Sequence, residues 1–487
     1  MFQHIELSIH YLTTLPMKNI YILSLLLLTF SLKAQETWTL QQCMDYAETH
    51  NSQLQKIKNN ELLFNQIVLQ AKGAMLPSIN ASASQNYNFG RSIDPFTNVY
   101  VNQQVRSNNF NVNGSLVLFN GFLLQNTLKQ SKDDVAAAQQ DIEQYRLDMS
   151  ISIVQAYVSI LMNEEIIENS KRQALTTKEV YDRMNSLKES GVVTKSSALD
   201  VYAQWKTEEA TVIQSKNNLD LSYLNLGLLL QLADPMAIRI AKPTDLLDKN
   251  KMAYSNPDEA MKNVIDQIPQ LKSLEYKKES TTHAYYASKG RYYPRITLNG
   301  SLGTIYSTSG KVVTGQQFTG TKVIGVTQTG NDNVLTNTYA TTLSDKAYGM
   351  QLKDNYSKFI GATLSIPILN GLQVRTTVHR NHIAMTQADL DYTIAKVSLQ
   401  RTIYTAFYQA SGSQSKLSAL NESYSATQES FRNAEKRLDG GIITSVEFNQ
   451  IKNTLSQSQS NLVQAKYDFI FKNAILDIYS GQPVNIQ

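Results

Sequence analysis

Residues 71–79 read Ala-Lys-Gly-Ala-Met-Leu-Pro-Ser-Ile, and residues 288–296 read Ser-Lys-Gly-Arg-Tyr-Tyr-Pro-Arg-Ile. The two prolines, Pro77 and Pro294, are 217 residues apart, and the same offset relates Cys43 to Ala260. In each copy a helix-compatible segment precedes the proline and an alternating segment follows it. Because proline ends a helix, each copy predicts a switch from helix to strand.

Two further stretches recur at an offset of 250 residues. Residues 118–121 (Leu-Phe-Asn-Gly) return as residues 368–371 (Ile-Leu-Asn-Gly), and residues 191–194 (Gly-Val-Val-Thr) return as residues 441–444 (Gly-Ile-Ile-Thr). These matches predict an internal two-fold repeat, with residues 35–250 as the first copy and residues 251–487 as the second. The second copy carries 33 extra residues, and residues 304–356 within it, rich in Thr, Gly, Ser and Asn, are interpreted as a long exposed loop.

Each copy predicts the order helix, strand, strand, long helix, turn and return helix. The first helix begins after the N-cap candidate Thr39 and ends near Gly73. Apolar and polar residues then alternate, most clearly over residues 109–118, 296–303 and 363–368, and more weakly after Pro77. Such alternation over ~10 residues suits a strand between lipid and a polar lumen. It suits a half-solvated sheet of a soluble protein equally well.

The segment from Asn120 to Gly191 contains no proline and no glycine between Gly121 and Gly191. One helix of ~70 residues would extend ~100 Å. Apolar residues recur at heptad spacing from Val135 to Ala156, and a second apolar stripe runs from Leu147 to Leu161, which predicts neighbouring helices on two sides. Return helices are predicted from about Ser196 to Leu232 and, in the second copy, from Ser445 to Tyr479.

The N-terminal segment and the amino-acid composition give further information on the class of protein. Residues 1–34 are interpreted as a signal peptide, with an apolar core from Ile20 to Phe30 and a possible mis-assigned start before Met17. The only cysteine, Cys43, cannot form an internal disulfide and is predicted to be a small buried residue. A net charge of +4 over 487 residues gives no indication of nucleic-acid binding.

Four predicted strands in one chain are too few to close a membrane barrel, since bacterial barrels start at about eight strands. Unpaired strand edges are not tolerated in lipid, so a barrel would have to be completed by other copies of the chain. Two copies would supply eight strands and three copies twelve, and the strand count does not choose between them.

The chain resembles the TolC family of outer-membrane factors over about residues 37–485. The resemblance extends over both halves. The matching residues are Thr39-Leu40, Tyr46-Ala47, Asn51, Lys72-Gly73, Leu76-Pro77, residues 118–121, residues 367–371, Gly191 and Gly441. Residues 90–95 (Gly-Arg-Ser-Ile-Asp-Pro) followed by Asn98 resemble a stretch common in the Bacteroidota branch.

This resemblance implies a membrane α+β fold. A homotrimer would form a 12-stranded outer-membrane β-barrel, four strands per chain, continued by a long periplasmic α-helical barrel. It implies a porin-like, passive exit duct of an efflux or type I secretion system, embedded in outer-membrane lipid. The partners it implies are a periplasmic adaptor protein and an inner-membrane transporter of the RND, ABC or MFS type. Such a conduit performs no chemistry, so no enzymatic activity and no cofactor are expected.

The resemblance also places the two glycine turns at the periplasmic tip, where the adaptor docks. The candidate docking residues are Gly191, Val192, Val193, Thr194, Gly441, Ile442, Ile443 and Thr444. A glycine there supplies backbone angles that other residues resist. Glu447 and Asp200 are candidates for an acidic ring at the constriction, which would favour cations and raise the pKa of its members. Arg437 and Asp439 are candidates for links that close the tip.

Two other classes compete with the duct. A secreted or periplasmic coiled-coil scaffold or adhesin would combine the long helices with a small soluble sheet and would lack a pore. A metal-dependent enzyme would use His379 and His382, which lie on one helix face, but no carboxylate or third histidine stands at ligand spacing beside them. Residues 309–311 (Ser-Gly-Lys) resemble a phosphate-binding loop only superficially.

Overall fold

The computed structural model describes residues 37–93, 98–102, 104–243, 252, 254–262 and 267–481. The predicted signal peptide, residues 1–34, lies outside these ranges. The described residues fall into two compact units. A helical unit comprises the described parts of Met1–Glu61, Ala138–Leu274 and Asp391–Gln487, and a sheet unit comprises those of Leu62–Ala137 and Glu275–Leu390. No helix in the described ranges is long and apolar enough to span a bilayer.

The sheet unit contains a four-stranded antiparallel sheet with the order β10–β7–β5–β2. Its strands are β2 (Ser78–Asn88), β5 (Val105–Phe119), β7 (Arg295–Ser307) and β10 (Ser357–Ser365). At the centre Gly114 of β5 lies opposite Gly300 of β7. The four strands predicted from alternation are confirmed, and β2 and β10 form the two edges of the sheet.

The switch from helix to strand falls where the prolines predict it. Helix α2 (Ser52–Gly73) ends four residues before Pro77, and helix α6 (Pro269–Gly290) ends four residues before Pro294. Strands β2 and β7 begin at the residue after each proline. Proline lacks the backbone N–H that a helix needs, and it disfavours helical angles at the residue before it.

The segment interpreted as an exposed loop is largely regular. Strand β7 extends to Ser307, and β8 (Lys311–Val326) and β9 (Asn333–Asp345) form a long antiparallel hairpin. Helix α7 (Tyr348–Asp354) then leads to β10. Most side chains of β8 and β9 are exposed, as expected, but the segment forms two strands and a short helix and not a loop throughout. Two short strands, β3 (Arg91–Ile93) and β4 (Tyr100–Asn102), form a separate small hairpin.

Long helices dominate the remaining elements. Helix α3 (Leu123–Glu189) and helix α8 (Gln373–Asp439) each have 67 residues, and the return helices α4 (Lys195–Leu229) and α9 (Ser445–Tyr479) each have 35. Helix α1 (Leu40–His50) precedes α2, and α5 (Pro257–Lys262) precedes α6. A two-stranded parallel pair joins β1 (Thr37–Trp38) to β6 (Arg239–Ile240).

The core of the helical unit lies around the middle of α3. Both predicted apolar faces are buried there, including Ile142 and Met149 on one and Val154 and Leu161 on the other. Sequence periodicity did not single out Tyr157, which is fully buried and donates a 2.6 Å hydrogen bond to the carbonyl oxygen of Ala241. The predicted start of the first helix is confirmed by Thr39, which forms a capping box with Gln42. The helix predicted as one piece is interrupted at Asn51.

Cys43 is buried in this core, as the sequence predicts. Burial in apolar surroundings raises the pKa of its thiol to about 12. The thiolate is the reactive form of cysteine, so this side chain is inert at neutral pH and acts as a small apolar residue.

Candidate functional site

The candidate site consists of the two helix-hairpin turns of the helical unit, which have the same backbone geometry. Gly191 follows α3 with a φ of 77°, and Gly441 follows α8 with a φ of 68°. In the first turn the N–H of Val192 donates to the carbonyl of Leu187 at 2.9 Å, and that of Gly191 donates to Lys188 at 3.0 Å. These two bonds define a Schellman motif, whose left-handed residue is favoured to be glycine.

The second turn repeats both hydrogen bonds. Ile442 N–H donates to the carbonyl of Arg437 at 2.8 Å, and Gly441 N–H donates to Leu438 at 3.0 Å. The bonds satisfy carbonyl groups at the C-terminus of α8 that lack a partner within the helix. Both glycine turns predicted from the sequence are therefore compact, hydrogen-bonded caps.

A threonine caps the return helix in each hairpin. The hydroxyl of Thr194 accepts a hydrogen bond from Ser197 N at 3.2 Å, and that of Thr444 accepts one from Glu447 N at 3.3 Å. In the second hairpin the Glu447 carboxylate also accepts the N–H of Thr444 at 2.9 Å, which completes a capping box. These threonines therefore act as N-caps that set the first residue of each return helix.

The apolar residues after each glycine are not equivalent. Val192 and Ile442 are exposed, Ile442 by 71%. Ile443 is only 9% exposed and packs with Phe448 and Ala434 inside its hairpin. Val193 packs in the same way against the core of the first hairpin. Of the two apolar residues after each glycine, only Val192 and Ile442 are thus exposed enough to contact an adaptor. The second residue of each turn, Val193 or Ile443, packs inside its own hairpin and stabilises it.

The candidate acidic residues have different surroundings. Hydrogen bonds from the backbone and side chain of Thr444, with a smaller contribution from the Arg437 charge, lower the pKa of Glu447 below its usual value. Within one chain its carboxylate is therefore a capping group, whereas the ring hypothesis expects a raised pKa. Asp200 and Arg437 are exposed. Asp439 ends α8, and its side chain lies outside the described structure.

A groove of about 870 Å³ lies beside these residues in the helical unit. Asp200 and Gln204 of α4 line one side, and Val446 and Asn449 of α9 line another. Its remaining lining comes from α8 and α9 and is mostly Ser, Thr, Asn and Gln: Leu420, Ser423, Thr427, Gln450, Asn453, Thr454, Gln457, Ser458 and Asn461. The lining of this groove is consequently mostly polar, and Asp200 is its only charged residue.

The sequence analysis missed a buried ion pair that connects three helices. Lys452 Nζ of α9 lies 2.9 Å from Glu208 Oε1 of α4, and Thr177 of α3 contacts both charged groups. Gln204 and Gln173 donate further hydrogen bonds to Glu208 Oε1, at 2.9 Å and 3.2 Å. Burial lowers the pKa of Lys452, and the Glu208 carboxylate opposes that shift. The polar partners hold α9 against the α3–α4 hairpin.

An aromatic cluster lies on the α3–α4 hairpin. The rings of Tyr181 and Trp205 stack with centroids 5.7 Å apart, and Tyr202 packs against both. Lys206 Nζ lies 3.8 Å from the centroid of the Trp205 ring, a cation–π contact. Tyr202 remains exposed, so this cluster adds an aromatic surface to the first hairpin.

Among the described residues, no further metal ligand lies with His379 and His382. In the described part of the chain no three His, Cys, Asp or Glu side chains gather as a metal site would require. The ring of His382 packs edge-on against Tyr285 with centroids 5.3 Å apart. The His379–His382 pair thus has no third ligand among the described residues.

The fold is that of known outer-membrane proteins. The chain superposes on the outer membrane protein VceC of Vibrio cholerae with a TM-score of 0.70 and 13% sequence identity, over 91% of this chain and 96% of VceC. The chain therefore shares its overall fold with that outer-membrane protein.

Sequence comparison identifies the family. Residues 44–230 and 260–481 match the family of outer membrane efflux proteins, and the chain belongs to that family. This confirms the resemblance seen in the sequence and places the protein in the outer membrane.

Two relatives have names that describe export. The chain is 19% identical over 348 residues to the alkaline protease secretion protein AprF of Pseudomonas aeruginosa, an alignment of 69% of this chain and 61% of AprF. It is 23% identical over 378 residues to the toxin and drug export protein A of Aggregatibacter actinomycetemcomitans, covering 76% of this chain and 72% of that protein.

Proposed function

We propose that the protein is a passive exit duct of an efflux or type I secretion system. In this proposal three chains close one 12-stranded barrel in the outer membrane, and their helices continue it as a tunnel through the periplasm. Export by the named relatives supports the direction of transport. The observation that carries the proposal is the four-stranded sheet whose edge strands, β2 and β10, have no further partner among the described residues. Unpaired edges are costly in lipid, so sister chains must cover them.

The two halves of the chain support the closing of a barrel by several chains, because corresponding helices of the two halves have the same length. Helices α2 and α6 both have 22 residues and begin 217 positions apart, while α3 and α8 have equal lengths and begin 250 positions apart. A duplicated unit of this kind gives the chain two similar lateral surfaces. The pairing of β5 with β7 inside the chain is then a template for the pairing of β10 with β2 between chains.

The template specifies a register. Inside the chain Gly114 lies opposite Gly300. Leu364 follows Gly114 by 250 residues, and Ala83 precedes Gly300 by 217 residues. The register inside the chain therefore predicts that Leu364 of one chain lies opposite Ala83 of the next. These two residues are on opposite edges of the sheet of one chain, separated by roughly 14 Å across the strands, at three strand spacings, and by about nine residues along them. A disulfide between them can therefore form only between chains.

At the other end of the proposed tunnel, we infer that the hairpin tips receive a periplasmic adaptor, which couples the duct to an inner-membrane transporter of the RND, ABC or MFS type. Val192 and Ile442 are the exposed apolar residues of the two turns, and the Tyr202 surface lies on the first hairpin. Exposed apolar side chains on rigid caps are suited to docking a helical partner. The buried residues Val193 and Ile443 would keep the docking geometry fixed.

Conductance tests the function directly. Purified protein inserted into a planar lipid bilayer is expected to conduct ions, and a heat-dissociated sample of the same protein serves as the control. Absence of conductance from a verified oligomer would overturn the duct and favour a scaffold without a pore.

Assembly is tested separately in a Cys43→Ala background. Oxidation of the Leu364→Cys/Ala83→Cys variant is expected to link chains covalently into a trimer. The matched control is Leu364→Cys/Ser84→Cys, in which the second thiol points to the opposite face of the strand. Equal linking in both variants, or none in either, would contradict the proposed register.

A further inference from the structure

The four-stranded sheet carries three charged residues, and all three are cations. They are Arg106 in β5, Arg295 in β7 and Lys358 in β10, and the four strands contain no aspartate or glutamate. The duct proposal does not explain why a sheet in contact with lipid has cations and no acids. The positions of these cations on the sheet decide what they contact.

The strand register separates the sheet into an apolar face and a polar face. Residues paired across strands share a face, and side chains alternate along each strand. On the apolar face Val112 lies opposite both Ala81 of β2 and Leu302 of β7. The polar face consists mostly of Ser, Asn and Thr, and there Asn299 Nδ2 donates a 3.0 Å hydrogen bond to Thr363 Oγ1. In a membrane barrel with a polar lumen, the apolar face is the one in contact with lipid.

Two of the cations lie on the apolar face, at the end of the sheet away from Pro77 and Pro294. Arg106 stands four residues before Phe110, and Lys358 stands two residues before Ile360, so each shares the face of that apolar side chain. Both cations are exposed in the single chain. Arg295 begins β7 at the other end of the sheet, on the polar face.

Tyrosines surround the two cations of the apolar face. Tyr87 stands opposite Arg106 in the pairing of β2 with β5, and the centroid of the Tyr306 ring lies 5.7 Å from the guanidinium carbon of Arg106. Lys358 Nζ lies 5.3 Å from the centroid of the Tyr356 ring. Aromatic girdles of this kind mark the levels at which a barrel meets lipid headgroups.

The charges of these two cations are not balanced within the chain. Other lysines at this end of the sheet have acidic partners: Lys346 Nζ lies 2.6 Å from Asp354 Oδ2, and Lys311 pairs with Asp345. In the described ranges no carboxylate pairs with Arg106 or Lys358, whose neighbours are aromatic rings. The apolar face therefore ends in positive charge that an anion from outside the chain would complement.

The register proposed between chains brings the two cations to the same place. It puts Ile360 of one chain opposite Tyr87 of the next, and Tyr87 lies opposite Arg106 within its own chain. Lys358 is two residues from Ile360 on the same face. Lys358 of one chain and Arg106 of the next are then separated by two strand spacings and two residues, about 12 Å between Cα atoms. Both side chains are long, so one headgroup can contact both charges.

We propose that Lys358 of one chain and Arg106 of the next bind the phosphate groups of a lipid in the outer leaflet. This rests on the proposed trimer, which has one such site at each of its three seams between chains. The planar guanidinium of Arg106 donates parallel hydrogen bonds to a phosphate, and Lys358 adds a second positive charge. The apolar face continues directly from the cations through Phe110 and Ile360. The ligand therefore combines a phosphorylated head with apolar chains, which describes a lipid rather than a soluble anion.

Binding of a phosphorylated lipid to the purified trimer tests this site. The probe is diphosphoryl lipid A, added to the protein in detergent, and the bound lipid is counted by native mass spectrometry. Arg106→Gln and Lys358→Gln are each expected to weaken binding several-fold, because each removes one of the two charges. The matched control is Arg295→Gln, which removes the same charge from the polar face at the other end of the sheet and should bind lipid A as the unmodified chain does.

A competition experiment distinguishes a lipid site from a site for free anions. Inorganic pyrophosphate at the concentration of lipid A is expected to leave the lipid bound, since it has no acyl chains to cover the apolar face. Displacement of lipid A at that concentration would overturn the assignment to a lipid. If Arg106→Gln does not assemble, Lys358→Gln makes the same comparison from the other side of the seam.

The mass and the conductance of the unmodified protein separate this site from the duct proposal. A conducting trimer that binds lipid A equally well with and without Arg106 and Lys358 would overturn the lipid site and leave the duct intact. An unmodified chain that stays monomeric would contradict the proposed trimer, and with it the site that two chains share.

Discussion

Lys452 and Glu208 form an ion pair inside the protein, with Lys452 Nζ 2.9 Å from Glu208 Oε1 and only 6% of each side chain exposed. They come from helices α9 and α4, which are separated by more than 200 residues of sequence. Buried charges are tolerated only when they are paired and hydrogen-bonded, and here Thr177, Gln173 and Gln204 complete the set. The pair therefore ties the two hairpins of the helical unit to each other.

Lys452→Met is expected to destabilise the protein by about 3–5 kcal/mol, because it leaves the Glu208 carboxylate buried without its cation. Lys452→Met/Glu208→Leu is expected to recover much of this loss, since neither charge then remains. The thermal midpoint followed by circular dichroism measures both effects. The control is Lys171→Met, whose partner Glu168 forms an exposed pair at 2.9 Å that contributes at most about 1 kcal/mol. Equal losses for Lys452→Met and Lys171→Met would contradict the structural role of the buried pair.

Gly121→Ala is expected to prevent the chain from folding correctly. A Cβ on Gly121 would stand 2.3 Å from the carbonyl oxygen of Gly290, a contact that backbone atoms cannot relieve. Its φ of 67° adds a cost of about 1–2 kcal/mol for any residue with a side chain. The amount of folded protein recovered from the membrane measures the effect.

Gly371 is the counterpart of Gly121 in the second half and gives a sharper comparison. It also has a positive φ, 59°, but a Cβ there would meet nothing within 4 Å in the single chain. If β10 of one chain pairs with β2 of the next as proposed, Gly371 would approach Gly73 of the sister chain. Gly371→Ala should then weaken the trimer more than Gly191→Ala, which is equally strained and open. Equal heat resistance of these two trimers would contradict that contact.

Thr444→Ala is expected to lower stability by about 1 kcal/mol, the usual cost of losing a helix N-cap. Glu447→Gln should cost less than Thr444→Ala, because glutamine at this position also completes a capping box and only the contribution of the charge is lost. The pKa of Glu447 is lowered by its hydrogen bonds, so the contribution of its charge to stability is present above the ordinary pKa and is lost as pH falls through the lowered value.

The same pair of variants examines the acidic-ring hypothesis. If Glu447 also lines a constriction in the trimer, Glu447→Gln should reduce the cation preference of the bilayer conductance while Thr444→Ala does not. Unchanged selectivity in Glu447→Gln would leave the carboxylate with its capping role alone.

The parts of the fold that could be predicted are those that short sequence patterns determine. Pro77 and Pro294 fix the switch from helix to strand, and Gly191 and Gly441 fix the turns, because the chemistry of a single residue decides each of them. The capping box could also have been found from Thr444 and Glu447, whose spacing is its sequence signature.

Other features depend on the relative positions of distant segments. The pairing of Lys452 with Glu208 requires the rotation of two long helices about their axes, which heptad spacing specifies only approximately. The β8–β9 hairpin escaped prediction for a different reason. Its three bulges shift the side-chain alternation every five residues, so no period of two extends through Val313, Phe318 and Val323.

Asp477→Asn is expected to change how stability depends on pH. Asp477 lies near the C-terminus of α9, almost fully buried, and desolvation raises the pKa of its carboxyl to about 6 from an ordinary value of 3.8. A folded-state pKa above the unfolded one favours the protonated acid. The stabilising contribution is thus fully present below about pH 4 and is lost as pH rises through about 6. The shift corresponds to at most about 3 kcal/mol at neutral pH.

Asparagine removes this dependence because it cannot ionise and has nearly the same shape. Asp477→Asn should therefore raise the thermal midpoint at pH 7.5 and leave it nearly unchanged at pH 4. The matched control is Asp468→Asn on the same helix, whose carboxylate pairs with Lys472 at 2.8 Å and is more exposed. That change removes a partner of a cation, so it should not stabilise the protein at pH 7.5. If the thermal midpoint of Asp477→Asn at pH 7.5 is at or below that of the unmodified chain, the buried carboxyl of Asp477 does not destabilise the folded protein at neutral pH.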